Sequence, residues 1–358
     1  MIDSLRESVP ARVTVTAPAR LHMGFLDPAG SLGRDFGSIG VALNEISTRI
    51  TLRRSATDAV RPAHRACGRS EAIAAHCCKA FGFPESVEID IERAIPEHVG
   101  LGSGTQLALA VGVGLQRLHG SARSVREIAR AIGRGRRSGI GIAVFEQGGF
   151  IVDGGRGPAT VTPPALARFE VPECWRFILV FDSRGQGLHG ERELAAFRAL
   201  PPFPGAEAAR LCHLLLLRGL PALAEERLIE FGAVVTEIQR SVGDYFAPAQ
   251  GGRFASSDVA ECMAWLQAQG AHGIGQTSWG PTGFCLVASP EQAQQLAGAA
   301  RRRFSDRSHL SLVVASARNT GAAVQLENPA EAEAKTPQQD MPSAPLHRSK
   351  DRRSRPAR

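Results

Sequence analysis

Residues 86–118 constrain the fold more than any other stretch, because a strand pattern, a glycine loop and an apolar run follow one another there without a break. Val87, Ile89 and Ile91 alternate with Glu88, Asp90 and Glu92, which predicts a half-buried strand over 86–93. Then comes Ile95-Pro96-Glu97-His98-Val99-Gly100-Leu101-Gly102-Ser103-Gly104-Thr105-Gln106, and residues 107–118 form an apolar run. Gly100, Gly102 and Gly104 let the backbone approach an anion, and Ser103 or Thr105 can cap a helix whose free N–H groups carry partial positive charge. The unit reads as a phosphate site, with a tight packing turn as the plain alternative. It is not the lysine-bearing phosphate loop, since the only lysines are Lys79, Lys335 and Lys350, and it does not fit the dinucleotide fingerprint.

A chain of 358 residues with 43% hydrophobic content can bury one large core or two domains sharing a cleft. Its formal charge of +7 is concentrated at the end: residues 347–358 hold six arginines or lysines and one aspartate, which leaves about +2 elsewhere and argues against a nucleic-acid surface. From about Gln325 the composition turns to Pro, Ala, Glu, Gln, Ser and Arg, which predicts a disordered tail over 325–358. The seven cysteines make no CxxC pair and read as reduced packing residues. With no signal-length or membrane-length apolar segment, the expected compartment is the cytoplasm.

Upstream, Val13 and Val15 alternate with Thr14 and Thr16, and a strand runs into Ala17-Pro18-Ala19-Arg20-Leu21-His22-Met23-Gly24-Phe25. In extended chain Arg20 and His22 share a face, a fixed cation beside a group that titrates near neutrality; a surface arginine and a core histidine is the alternative. Residues 30–40 are glycine-rich and carry Arg34 and Asp35, which suits a polar-ligand loop or a β-hairpin connection before a strand over 48–53. Helical patterns cover 70–81, 107–118 and 125–132. Gly133-Arg134-Gly135-Arg136-Arg137-Ser138-Gly139-Ile140-Gly141-Ile142 then sets three arginines among glycines, an anion site in prospect, ahead of Phe145-Glu146-Gln147-Gly148-Gly149-Phe150. Later come a strand over 176–181, a polar loop with Asp182, Arg184, His189, Glu191 and Glu193, and helices over 206–218 and 221–242. A third helix ends near Gln269, and a third glycine-rich loop covers 270–283. Strand 284–288, helix 291–304 and strand 310–315 close the chain in a βαβ-like pattern.

Three glycine-rich loops in this order resemble the GHMP small-molecule kinase superfamily, through residues 17–25, 96–105 and 273–283. The resemblance implies an α/β (α+β) two-domain sandwich: an N-terminal domain like ribosomal protein S5 domain 2 over 12–165 and a ferredoxin-like C-terminal domain over 166–324, after an extension over 1–11. Kinases of the superfamily use a second serine in the phosphate loop for magnesium and often an aspartate in Ser-Gly-Ile-Asp as base. Here those places hold Gly104 and Gly141, which leaves alcohol phosphorylation without an evident base.

A narrower similarity accounts for these departures. Ala19-Arg20-Leu21-His22, Gly100 to Gln106, Arg136-Arg137-Ser138-Gly139-Ile140-Gly141, Phe145 to Phe150 and Gly275-Gln276-Thr277-Ser278-Trp279-Gly280-Pro281 resemble the β-ribofuranosylaminobenzene 5′-phosphate synthases, GHMP-fold enzymes that are not kinases. The resemblance implies condensation of 4-aminobenzoate, or a 4-hydroxybenzoate derivative, with phosphoribosyl diphosphate, releasing carbon dioxide and diphosphate on the way to tetrahydromethanopterin. Under it, Gly100, Leu101, Gly102, Ser103, Gly104, Thr105 and Gln106 hold phosphate; Arg136, Arg137 and Ser138 hold diphosphate or the benzoate carboxylate. Arg20 and Arg34, with Gln276, Ser278, Trp279 and Gly280, line the substrate side, and His22 stands there as a catalytic candidate. Asp35 and Glu146 are the carboxylates expected to stabilise the oxocarbenium charge or hold magnesium, with Asp153 and Glu191 as rivals. Magnesium is expected to arrive on the diphosphate, and no ATP is expected. The partners are small molecules, with no nucleic acid or membrane and a homodimer as an open assembly. An ATP-using kinase and a catalytically silent binding protein are the competing readings.

Overall fold

The computed structural model describes residues 10–55, 61–62, 68–185, 199–277 and 280–328. Two long strands, β1 (Arg12–Asp27) and β2 (Phe36–Arg54), pair antiparallel from Arg12 opposite Arg53 to Asp27 opposite Phe36. The glycine-rich segment is therefore a hairpin connection, and β2 begins well before the strand expected over 48–53. Gly40 lies within β2, and a Cβ there would meet the Leu21 carbonyl and Ile140 Cγ2, each at 2.6 Å, so this glycine serves close packing. β3 (Arg61–Pro62) and β4 (Val87–Arg93) extend the sheet beyond β2, β5 (Phe150–Asp153) pairs with the first half of β2, and β6 (Ala165–Phe169) pairs with β5. The alternation in β4 puts Val87, Ile89 and Ile91 in the core.

Helices α1 (Gly68–Phe81), α2 (Ser103–Leu118), α3 (Val125–Ala131) and α4 (Ile140–Gln147) accompany this sheet. α2 is buried from Gln106 to Gln116 without interruption, which is why its sequence shows no polar stripe. α3 starts from a capping box in which Ser124 and Glu127 satisfy each other's backbone N–H groups. α4 occupies residues where no helix was expected.

The second sheet has the order β10-β7-β9-β8, all antiparallel neighbours, from β7 (Arg176–Asp182), β8 (His272–Gln276), β9 (Gly283–Val287) and β10 (Leu310–Ser316). α9 (Pro290–Arg303) crosses from β9 to β10 with β7 lying between them, so the βαβ-like ending is a split one. The remaining helices among the described residues are α5 (Gly205–Leu214), a π-helical turn (Leu215–Gly219), α6 (Leu220–Ala224), α7 (Leu228–Gln250) and α8 (Ser257–Ala268). The single helix expected over 221–242 is two, broken where Glu226 takes φ 58°.

One hydrophobic cluster contains Leu21 and Phe150 from the first sheet and Phe177, Phe231 and Phe284 from the second half, with the rings of Phe150 and Phe231 edge-to-face at 5.4 Å. The last described strand, β11 (Ala323–Glu327), returns to pair with β1, placing Glu327 opposite Arg12. Gln325, Leu326 and Glu327 are thus ordered by backbone pairing, which corrects the start expected for the disordered tail; residues 329–358 lie outside the described residues. The boundaries anticipated at 165/166 and 324/325 fall inside β6 and β11. Among the described residues no helix is long and apolar enough to cross a membrane. The six described cysteines are free, and burial pushes the Cys77 thiol up to about 12, as expected of an inert packing residue.

Candidate functional site

Strand β1, the glycine loop of residues 100–106 and the loop of residues 273–283 meet at one carbonyl. Gly100 O accepts from Arg20 Nη1 at 2.8 Å and from Thr277 Oγ1 at 2.7 Å, while Thr282 Oγ1 donates to Val99 O at 2.8 Å and Arg20 N donates to Leu101 O at 3.1 Å. Gly100 and Gly102 have φ 81° and 78°, the left-handed region, and this turns the chain into α2. The cap of α2 is Gly102 itself, whose carbonyl accepts from Thr105 N and Gln106 N; no side chain caps it, contrary to the role expected of Ser103 or Thr105. Helix geometry leaves the first N–H groups without an intrahelical acceptor, and the first turn carries no acid to neutralise them. That end of α2 is suited to an anion.

His22 is buried on β1, and Gly24 N donates to its Nδ1 at 3.3 Å, which puts the ring proton on Nε2. Burial, then the charges of Arg20 and Arg137, hold its pKa well below the usual 6.5, so it is a neutral imidazole at pH 7 and not the near-neutral titrating group expected. The unfolded chain binds this proton below about pH 6.5 and the folded chain does not, so stability is complete above that pH and is lost as the solution is acidified. Urea titrations between pH 6.5 and 5.5 should show His22→Gln losing this dependence, by up to about 1.4 kcal/mol per pH unit. Parallel curves for the two proteins would mean that His22 titrates normally.

Gln106 is fully buried; its Nε2 donates to Gly141 O at 2.7 Å, and its Oε1 has no hydrogen-bond partner among the described residues. A Cβ on Gly141 would start 3.2 Å from Thr105 Cγ2, so the position at which the kinase resemblance implies an aspartate is tight against the glycine loop.

Other expected residues lie elsewhere. Ser138 hydrogen-bonds to Asp153, whose buried carboxylate also accepts from Ser38 Oγ and from the N–H groups of Gly139 and Gly155. Asp153 therefore anchors the start of α4, and burial raises its pKa despite those bonds. Glu146 faces Arg126 on α3 at 3.3 Å, with its pKa raised by burial. Asp35 sits on the β1–β2 connection, bridged through its backbone to Arg156, and Arg34 donates to the carbonyls of Gly154 and Gly155. Arg136 folds against Gly133, with its carbonyl accepting from Arg156. Gln276 turns towards Gln250 and Ala255, whereas Gly280 packs on Val99 and Gly100. Ser278, Trp279 and Glu191 lie outside the described residues.

Three contributors went unselected from the sequence. Thr277 and Thr282 lie within the third loop, where hydroxyls inside a glycine run were the available signal. Gln239 on α7 donates to Met23 O and accepts from Gln276 N, joining β1 to β8; as one amide on an apolar helix it gave no signal. Asp182, Asp258 and His309 come close enough to hold a metal ion, but Arg184 and Arg307 already pair with these carboxylates.

The GHMP kinases N terminal domain matches residues 69–149, and the GHMP kinases C terminal domain matches residues 220–306. A relative in Archaeoglobus fulgidus named beta-ribofuranosylphenol 5'-phosphate synthase is 33% identical over 326 residues, covering 86% of this chain and 98% of the relative. One of the same name in Methanothermobacter thermautotrophicus is 32% identical over 328 residues, with 86% and 97% covered. Among solved structures, homoserine kinase from Cytophaga hutchinsonii superposes with a TM-score of 0.62 at 17% identity, covering 89% of this chain and 99% of the kinase.

Proposed function

The chain belongs to the beta-ribofuranosylphenol 5'-phosphate synthase family, on the GHMP kinase fold, and from that premise we propose that it joins phosphoribosyl diphosphate to a 4-substituted benzoate. The observation that carries this reading is Arg20 bonded to the glycine loop at Gly100 O, next to a buried neutral His22 on which the charges of Arg20 and Arg137 act, with Gly141 where the resemblance to the kinases puts an aspartate.

In the proposed reaction the C1–O bond to diphosphate breaks and the ring carbon bearing the carboxylate supplies the electron pair for the new C1–C bond. The carboxyl group then leaves as carbon dioxide, its bonding pair restoring the aromatic ring. An α-linked diphosphate giving a β product requires attack on the opposite face. No hydroxyl is deprotonated, so no kinase base is needed. The open end of α2 and Arg20 hold the diphosphate as its negative charge grows, and that diphosphate would be the ligand for any magnesium, which would offset the same charge. Arg137 holds the benzoate carboxylate, and the neutral His22 leaves the developing positive charge at C1 unopposed. The relatives' name favours 4-hydroxybenzoate over 4-aminobenzoate as acceptor, and the product suits the route to tetrahydromethanopterin.

Incubation with phosphoribosyl diphosphate, magnesium and carboxyl-labelled 4-hydroxybenzoate or 4-aminobenzoate, without ATP, should release labelled carbon dioxide. ATP-dependent phosphorylation without that release would replace this reading with a kinase, and binding without turnover would replace it with a silent module.

A further inference from the structure

Adjacent residues of the arginine-rich turn face different places. Arg137 lies close enough to His22 to depress its pKa, whereas Arg136 lines an open basin of about 440 Å³ with Arg130, Gly133, Arg134, Arg156 and Thr160. None of the described side chains lining that basin is acidic. Its walls come from two segments: the end of α3 with the turn that follows it, and the loop after β5, which Arg34 fastens through the carbonyls of Gly154 and Gly155. Holding four guanidiniums around one concavity costs electrostatic repulsion that a multiply charged anion relieves, and the planar donor forks suit phosphate oxygens.

We propose that this basin is a second anion site, outside the cleft, which takes a small polyphosphate such as diphosphate. The claim does not depend on which reaction the cleft carries, because its readout is binding. Calorimetric titration of the full chain with inorganic diphosphate at low ionic strength should resolve two classes of site. Arg130→Ala combined with Arg156→Ala should weaken one class at least tenfold and spare the other, and should leave turnover with no added diphosphate unchanged. Should that double variant unfold, Arg130→Glu at the exposed end of α3 repeats the measurement. Wild-type binding by these variants, or a single class that Gly102→Val removes, would overturn the proposal. So would binding of heparin without binding of diphosphate, which would assign the basin to a macromolecular polyanion.

Discussion

Gly102→Val is expected to weaken phosphoribosyl diphosphate binding at least a hundredfold while leaving most of the fold in place. The position has φ 78°, which a β-branched residue adopts only with strain, and its Cβ would stand 2.7 Å from Arg20 Cγ. The valine therefore damages the site twice, bending the loop away from its anion-binding conformation and pushing aside the arginine bonded to Gly100 O. Calorimetry with phosphoribosyl diphosphate reads the loss, and circular dichroism reads the fold. Normal binding would make the loop a packing turn only.

Arg137→Ala should lower affinity for phosphoribosyl diphosphate or the benzoate at least tenfold, in keeping with the roughly 2–5 kcal/mol cost of removing one partner of a buried, hydrogen-bonded charge pair. A second readout separates charge from folding. Arg137 is one of the groups depressing the His22 pKa, so the variant should raise the His22 titration midpoint as followed by NMR. An unchanged dissociation constant for both substrates would remove Arg137 from ligand recognition. Arg20→Ala should raise the same midpoint, and it also loosens the glycine loop, so its effect on binding should exceed that of Arg137→Ala.

The elements most legible in the sequence were those whose burial follows one rule along their whole length. β4 alternates cleanly because only Val87, Ile89 and Ile91 point inward, and α2 was visible as an apolar run because it is buried all round. The start of β2 and the whole of α4 were not legible, since Gly37, Gly40, Gly139 and Gly141 look like loop residues in sequence, whereas Gly40 and Gly141 sit at close contacts. The motifs meet at Gly100 O through Arg20 and Thr277, and the charges of Arg20 and Arg137 both act on His22. The carboxylates were harder, because a sequence does not say which way a side chain turns: Asp153 is spent on anchoring α4 and Glu146 on Arg126. Arg136 and Arg137 are consecutive, and only the fold separates the basin from the cleft.

The hydrophobic cluster shared by the two sheets bears on how the two halves of the molecule can move. Swinging one half away from the other as rigid bodies would separate Phe150 from Phe231 and would wet Leu21, Phe177 and Phe284 in each catalytic cycle. Exposing one such side chain costs about 1.5–3 kcal/mol, so a hinge through that core would spend much of a domain's marginal stability on every turnover. Any opening between the two halves would therefore be confined to short backbone segments outside this cluster, and loop substitutions would alter it far more than changes in the stability of the shared core.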